Sequence, residues 1–253
     1  MWHAIAQHRQ RNPYDAVHVF GSVSVYEYAH LLHDIPKLIT PYESYSLYLK
    51  RIVQADGGLM ARVQRLVARQ FERWMFTPYG ATVVVAQPDK DELLTINPRL
   101  RVEVISNGID LSYFVPDKAT ERDPNMLLFV GNYEYAPNLQ AAYTLVGHIL
   151  PQIRQQMPNV TLYLVGNAPP PELQQLASDH VIVTGRVPDV RPYLAQAGAF
   201  VCPLTLGAGI KNKVLEALAM RCPVVATPLS VDGITVQHER DVLLADVATL
   251  SAA

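Results

Sequence analysis

The sequence is poor in cysteine, in net charge and in long apolar runs. Its 253 residues contain two cysteines and carry a formal net charge of −2. A chain so close to neutral has no global basic field of the kind that drives nucleic-acid binding, so no nucleic-acid partner is expected. No apolar run reaches the roughly 18 residues that cross a bilayer, and residues 1–12 lack the apolar segment of a signal peptide.

The two cysteines lie in apolar, strand-like segments, Cys202 in AFVCP and Cys222 in RCPVVAT. Buried free thiols are therefore favoured over a disulfide or a metal pair, as is typical of a reducing compartment. The eight histidines show no HxxxH or comparable spacing of metal ligands. We expect a cytoplasmic protein that binds no metal.

Short β-branched segments alternate with helical patterns along the whole chain. This alternation predicts an α/β fold whose parallel sheets are built by right-handed crossovers. In the first half we predict strands at residues 16–20, 37–40, 82–86 and 102–106. The second half repeats the pattern, with predicted strands at residues 126–132, 160–165, 181–184, 199–203, 223–226 and 242–245.

Residues 107–125 hold a turn signal, two prolines and a charge cluster without a sustained period, which is typical of an interdomain linker. We therefore predict an N-terminal domain of residues 1–116 and a C-terminal domain of residues 117–253. The first half starts without a glycine-rich strand-loop-helix unit, and the chain ends where another helix should begin. We accordingly expect a shortened chain with an incomplete N-terminal domain. Pro151 should kink or break the helix predicted at residues 138–157.

The stretch GAGIKNKVLEALAM, residues 207–220, places glycines and two lysines at the entrance of an apolar helix. Unpaired backbone N–H groups and the positive end of the helix dipole make such an entrance suitable for a phosphate or diphosphate. Lys211 and Lys213 add charge there, and Glu216, one turn deeper on the same face, suits sugar hydroxyls. The alternative is a tight turn with solvated lysines and a Glu216 paired with Lys213.

Several segments, in this order and spacing, resemble the family 4 retaining glycosyltransferases of the GT-B fold, which have two Rossmann-like, doubly wound domains. The resemblance covers about residues 102–246 and rests on ISNGIDLSYFVPD, LLFVGNYEYAPN, LYLVGNAPP, VIVTGRVPDVRPYLAQA, GAGIKNKVLEALAMRCPVVAT and GITVQHERDVLLAD. It implies that the C-terminal domain binds a nucleotide-diphosphate sugar and the N-terminal domain binds the acceptor.

The resemblance also implies roles for individual residues. As catalytic residues, Lys213 would neutralise the donor diphosphate and Glu216 would hydrogen-bond the nucleotide ribose. The main chain of Arg186 and Val187 would meet the base. The residues themselves add that Gly131 ends a strand with Asn132 after it, which is consistent with a ligand-facing loop and equally with a turn. The remaining predicted substrate-binding residues are Gly131, Asn132, Gly207, Ala208, Gly209, Ile210, Lys211 and Asn212.

Two positions depart from the family pattern. The family often has a glutamate eight residues before the second one, and Ala208 stands there. An arginine-lysine pair commonly follows the first strand of the C-terminal domain, where this chain has Asn132 and Pro137. Neutralising the diphosphate would then fall more heavily on Lys213, with Lys211 as a helper.

The implied function is transfer of a glycosyl group, with retention and without a metal or other cofactor. The acceptor would be a saccharide or a lipid-linked molecule in polysaccharide or glycolipid synthesis. Two alternatives stay open: a nucleotide-sugar epimerase on the same fold, and a truncated, non-catalytic protein that binds a nucleotide sugar.

Three further patterns lie in the first half. Asp89-Lys90-Asp91 is formally a DxD metal motif, but an aspartate at that place is expected to cap a helix. The arginines at positions 62, 65, 69 and 73 share one helical stripe, interpreted as a solvated face, with docking to anionic lipid or to a lipid-linked acceptor as the alternative. Tyr42, Tyr45 and Leu49 have helical spacing and are expected in the core rather than in a sugar platform.

Overall fold

The computed structural model describes residues 2–21, 23–117 and 119–252, and it divides the chain into two compact units. The first unit ends at Ser106 and the second begins at Asn107. The division therefore falls at the start of the predicted linker. Each unit has its own hydrophobic core, so the two are described separately.

The first unit is an α/β unit around a four-stranded parallel sheet, in the order β1-β2-β3-β4. A 3-10 helix, Val23–Leu31, follows β1. The elements in chain order are α1 Trp2–Arg11, β1 Val17–Gly21, β2 Lys37–Pro41, α2 Tyr45–Asp56, α3 Leu59–Phe76, β3 Ala81–Val84, α4 Gln87–Ile96 and β4 Val102–Val104.

One face of this sheet packs against helices and forms the core of the first unit. Val19, Ile39 and Val84, from three successive strands, are all buried there. Phe76 of α3 and Leu93 of α4 are fully buried against them. The predicted packing of the tyrosines is wrong, however, because Tyr42 and Tyr45 are 57% and 39% exposed, although Leu49 is buried as expected.

Two buried carboxylates hold the N-terminus of α2. Oε1 of Glu72, on α3, accepts the backbone N–H of Tyr45 at 2.7 Å, and Oδ1 of Asp89, on α4, accepts that of Ser44 at 2.7 Å. Helix α4 has no side-chain cap of its own. The prediction that Asp89 caps its own helix is therefore wrong: its carboxylate serves the loop before α2.

The second unit contains a six-stranded sheet in the order β10-β9-β8-β5-β6-β7, with every pair parallel. Short 3-10 helices lie at Pro228–Val231 and Leu250–Ala252. The elements in chain order are β5 Asp123–Val130, α5 Ala136–Thr144, α6 Leu150–Gln156, β6 Thr161–Val165, α7 Pro171–Gln174, β7 Val181–Gly185, α8 Arg191–Gln196, β8 Ala197–Cys202, α9 Asn212–Ala219, β9 Val224–Ala226 and β10 Leu243–Leu244.

The order in which strands are added to this sheet reverses in its middle. From β5 it adds β6 and β7 on one side, and then returns to place β8, β9 and β10 on the other. A crevice forms at the carboxyl ends of strands where the order reverses, here between β5 and β8, and open α/β sheets bind ligands in such crevices. The topology therefore points to the loops after β5 and β8.

Pro151 does not break its helix. Residues 136–156 stay helical because a π-helical turn, Leu145–Ile149, lies between α5 and α6. The N–H of Leu150 donates to the carbonyl of Leu145, five residues back. A proline cannot supply the N–H of a regular helical turn, and a local widening of the turn is a known way to accommodate this.

Both cysteines are free and buried, as predicted. Cys202 ends β8, and Cys222 precedes β9. Among the described helices, none combines the length and the apolarity needed to cross a membrane.

Candidate functional site

The candidate site is built from the loops that follow β5 and β8, at the reversal point of the second sheet. Gly131 directly follows β5, and a Cβ atom there would lie 3.2 Å from the Cβ of Asn138. Gly166, after β6, has a φ of +147°, and a Cβ there would lie 1.8 Å from the carbonyl oxygen of Gly131. Only glycine permits this approach, so the loops after β5 and β6 lie in direct contact.

The loop between β8 and α9 is compact and mostly buried. Gly207 and Gly209 have φ angles of +124° and +64°, which L side chains rarely adopt. A Cβ on Gly207 would lie 3.4 Å from the hydroxyl of Tyr135, in the loop after β5. Ala208, between the two glycines, is buried. The loop after β8 therefore lies against the loop after β5.

Lys211 stabilises the glycine loop from within. Its buried ammonium donates to the carbonyl oxygens of Ala208 at 3.2 Å and Gly209 at 2.7 Å. These two bonds direct the carbonyl oxygens of Ala208 and Gly209 toward the buried ammonium. Lys211 thus shapes the loop, and its role as a helper in neutralising the diphosphate stays a prediction.

Lys213, in the first turn of α9, is half-buried, and its ammonium group is buried. The ammonium donates to Oδ1 of Asn138 at 2.5 Å and lies 4.5 Å from the centre of the Phe129 ring. Burial lowers the pKa of this lysine from 10.5 to about 8, and the nearby Glu216 only partly opposes that shift. The alternative in which both lysines are solvated is therefore wrong.

Asn138 is the site residue that sequence reasoning missed. It is buried at the start of α5, where its Nδ2 donates to the carbonyl of Asn132 at 2.8 Å. Because that carbonyl only accepts and the Lys213 ammonium only donates, the amide has one orientation that satisfies both partners. The sequence signal for this residue is the asparagine at the end of YAPN, in the segment LLFVGNYEYAPN quoted above.

Glu216 lies one turn below Lys213 on α9, half-buried. Burial raises the pKa of its carboxyl group, and the nearby Lys213 opposes this rise. No hydrogen bond or ion pair joins its side chain to any other residue that the structure describes. The carboxylate is therefore available to a ligand, and its direct pairing with Lys213 is not found.

The other predicted site residues border the same edge of the sheet. Asn132 accepts from the backbone N–H of Glu134 at 3.3 Å, and Asn212 accepts from the side chain of Asn107 at 2.8 Å. Ile210 is half-buried in the loop before α9. Arg186 and Val187 follow β7, three strands from β8, which corresponds to about 14 Å at the usual strand spacing.

These residues offer a binding edge for an elongated anion with hydroxyl groups. The N-terminus of α9 and Lys213 supply positive charge, and Glu216 supplies an acceptor for hydroxyls. Within the described residues, no three histidine, cysteine, aspartate or glutamate side chains are grouped so as to hold a metal ion.

Several solved structures are similar to this chain at low sequence identity. Sucrose-phosphate synthase from Thermosynechococcus elongatus aligns with 99% of this chain and 65% of its own, at 18% identity and a TM-score of 0.73. Anabaena HepE, in complex with UDP and glucose, aligns over 99% and 69% of the two chains, at 14% identity and a TM-score of 0.68. A UDP-forming α,α-trehalose-phosphate synthase from Burkholderia xenovorans, in complex with glucose-6-phosphate, aligns over 99% and 68%, at 10% identity and a TM-score of 0.67.

The chain thus spans about two thirds of the length of these proteins. At such identities the likeness shows the fold, which is the GT-B type with two parallel-sheet α/β domains. A comparison with curated proteins gave no significant match.

Two family models match the sequence itself. The model of Glycosyltransferase Family 4 matches residues 1–113. The model of glycosyl transferases group 1 matches residues 124–253, just over half of the chain, including every candidate site residue named above. The chain therefore belongs to the glycosyl transferases group 1 family.

Proposed function

We propose that this protein transfers a glycosyl group from a nucleotide-diphosphate sugar to a saccharide or lipid-linked acceptor, with retention and without a metal or other cofactor. The observation that carries the proposal is the grouping of charged residues at the point between β5 and β8 where the strand order reverses. There the N-terminus of α9, the Lys213 ammonium and the available Glu216 carboxylate meet at the carboxyl edge of one sheet. Family membership supports the transferase class.

The donor would lie across the carboxyl ends of β8, β5, β6 and β7. Its diphosphate would occupy the entrance of α9, where backbone N–H groups and the helix dipole favour negative charge. Glu216 would accept hydrogen bonds from the ribose hydroxyls. The base would reach the main chain of Arg186 and Val187, and the distance of about 14 Å between β8 and β7 suits a nucleoside diphosphate.

In the proposed reaction the bond between the anomeric carbon and the donor phosphate oxygen breaks. The acceptor hydroxyl oxygen attacks the same face of the sugar, and its proton passes to the departing phosphate. Negative charge grows on the leaving diphosphate, where Lys213 and the α9 N-terminus stabilise it. Because fixed protein charges would fill this role, we propose a metal-independent reaction.

Ligands of the similar structures support this choice of substrates. HepE has been solved with UDP-glucose, and the trehalose-phosphate synthase with glucose-6-phosphate. Polysaccharide or glycolipid synthesis in the cytoplasm is the setting we propose. The donor base and sugar are to be identified by experiment.

Isothermal titration of the full chain with a panel of nucleoside diphosphates tests the donor site. We expect one of them to bind, and Lys213→Ala to weaken its binding about tenfold to a hundredfold, because a hydrogen bond to a charged group contributes about 1.5 to 3 kcal/mol. The matched control is Lys90→Ala, on α4 of the first unit, which should leave binding unchanged.

Product analysis separates the reaction classes. Transfer should give a product with the anomeric configuration of the donor, and addition of EDTA should leave the rate unchanged. An epimerised donor without acceptor, or a failure of all nucleoside diphosphates to bind, would contradict the proposed function.

A further inference from the structure

Helix α3 of the first unit exposes several large apolar side chains to the solvent. Six of its large apolar residues are about half or more exposed: Leu59 78%, Met60 70%, Leu66 68%, Val67 64%, Trp74 64% and Val63 47%. At 100° per residue these six lie within an arc of about 120°, and Gln70 is the single polar residue within it. A surface helix normally hides such a stripe against the core.

The opposite side of α3 carries the charges that face the protein. Glu72 is buried and accepts the N–H of Tyr45 at 2.7 Å. Arg65 and Arg69 donate to the buried Glu92 of α4, at 3.2 and 2.8 Å. Turning the apolar stripe inward would break this network and leave buried carboxylates unpaired, which is strongly unfavourable. The exposure of the stripe is therefore fixed by the fold.

We define the α3 stripe as the six exposed apolar residues given above. From Leu59 to Trp74 on α3 it extends for about 23 Å along the helix. An exposed apolar surface of this length marks a site of interaction with another protein or with a membrane.

Charge distinguishes between these partners. Helix α3 has four arginines and one acidic residue, Glu72, which is buried. Arg62 and Arg73 are exposed along one edge of the stripe. Beyond them on α3, Arg65 and Arg69 share the single carboxylate of Glu92 with Lys50 of α2. The edge is therefore positive, which complements the negative headgroups of anionic lipids.

A second copy of this chain fits the stripe less well. Two α3 helices facing each other would bring Arg62 and Arg73 from both copies to the rim, and α3 has no exposed carboxylate to pair with them. An anionic bilayer supplies both the apolar interior for the stripe and the countercharge for the arginines. Trp74 ends the stripe, and tryptophan favours the membrane-water interface.

We propose that the α3 stripe docks the protein peripherally on a membrane surface that contains anionic lipids. Helix α3 lies in the plane of the interface, with the stripe in the headgroup and upper acyl region and Arg62 and Arg73 at the headgroups. This inference does not rest on the proposed transferase activity, because docking and donor binding concern different units and are measured separately.

Vesicle sedimentation of the full chain tests the docking. We expect binding to vesicles of phosphatidylcholine mixed with phosphatidylglycerol, weak binding to phosphatidylcholine alone, and loss of binding at high salt. In a Trp2→Phe background the emission of Trp74 should shift to shorter wavelength when anionic vesicles are added. That shift would locate the contact on α3.

Two double variants separate the apolar and ionic contributions. Val63→Ser with Val67→Ser should weaken vesicle binding about tenfold or more, because apolar groups would no longer be buried. Arg62→Gln with Arg73→Gln should weaken binding to anionic vesicles about tenfold and reduce its dependence on salt. Leu111→Ser with Val115→Ser, two exposed apolar residues in the second unit, is the matched control and should bind as the parent does.

Three outcomes would overturn the proposal: equal binding to neutral and anionic vesicles, unchanged binding of the Val63/Val67 variant, or a stable dimer in solution that this variant dissociates. The last result would assign the stripe to a second copy. Circular dichroism of each variant checks that α3 remains folded, and because the substituted side chains are exposed, folding should be unaffected.

Discussion

At the scale of single residues, the contact between Asn138 and Lys213 decides how charge is presented in the candidate site. Lys213 has no carboxylate partner within ion-pair distance among the described residues and is held by a neutral amide and an aromatic ring. A lysine in this setting keeps its charge less firmly than a surface lysine, since its pKa is about 8. Asn138 is thus a positioning residue for Lys213.

Substitutions of Asn138 should change the pH dependence of donor binding. Above about pH 8 the parent protein should lose affinity for UDP by about tenfold per pH unit, because Lys213 is then increasingly neutral in the free protein. Asn138→Asp places a carboxylate beside the ammonium and should raise the lysine pKa, so that the decline starts at higher pH. Isothermal titration across this pH range measures both curves.

Asn138→Ala should weaken UDP binding about tenfold at neutral pH, because Lys213 loses the acceptor that orients it. Asn159→Ala, an exposed asparagine in the same unit, is the control. A parallel decline of Asn138→Asp and the parent above pH 8 would show that Asn138 acts only on local folding.

At the scale of elements, the N-terminus of α2 depends on a buried carboxylate from another helix. Glu72 accepts the N–H groups of Tyr45 and Ser46 at 2.7 and 3.3 Å. Burial raises its pKa from 4.5 to about 7, although these hydrogen bonds lower it. The folded state therefore holds this proton more tightly than the unfolded chain does.

The stability of the first unit should fall as the pH rises. Between about pH 4.5 and about pH 7 the folded state binds more protons than the unfolded state, so stabilisation present below this window is lost across it. A shift of about 2.5 units corresponds to about 3 kcal/mol. Urea unfolding followed by tryptophan fluorescence should show the decline in the parent and a flat profile in Glu72→Gln. A flat parent profile would contradict the assignment.

The order of elements could be predicted from the sequence because it depends on local patterns. The predicted strands at residues 16–20 and 181–184 correspond to β1 and β7, since β-branched runs and turn signals are read within a few residues. The break between α2 and α3 likewise follows from the adjacent Gly57 and Gly58. Such features need no knowledge of the rest of the chain.

Pairings between distant residues could not be predicted in this way. Lys213 meets Asn138 across 75 positions, and Asp89 meets Ser44 across 45. The DxD pattern and the helical spacing of the tyrosines were each interpreted from the local segment, and both interpretations were wrong in part. Tertiary packing decided which partner each side chain found.

At the scale of the whole molecule, the two units have separate cores and one of them contains the candidate donor site. The core clusters share no residue: one draws on β1 to β4 and their helices, the other on β5 to β9 with its own helices. Separate cores favour departure from two-state unfolding. The two tryptophans, at positions 2 and 74, both belong to the first unit, so fluorescence follows that unit alone.

A nucleoside diphosphate should therefore stabilise one unfolding transition and not the other. At about 100 times its Kd, UDP should add about 2.7 kcal/mol to the second unit, which for its size is a rise in Tm of about 5 to 10 °C. Thermal unfolding by circular dichroism should show this rise, while the tryptophan transition stays in place. At the same ligand concentration Lys213→Ala, with binding weakened tenfold to a hundredfold, should reduce the stabilisation to about 0.4 to 1.4 kcal/mol. An equal shift in fluorescence would instead mean that the two units unfold as one, because the ligand would then stabilise both cores together.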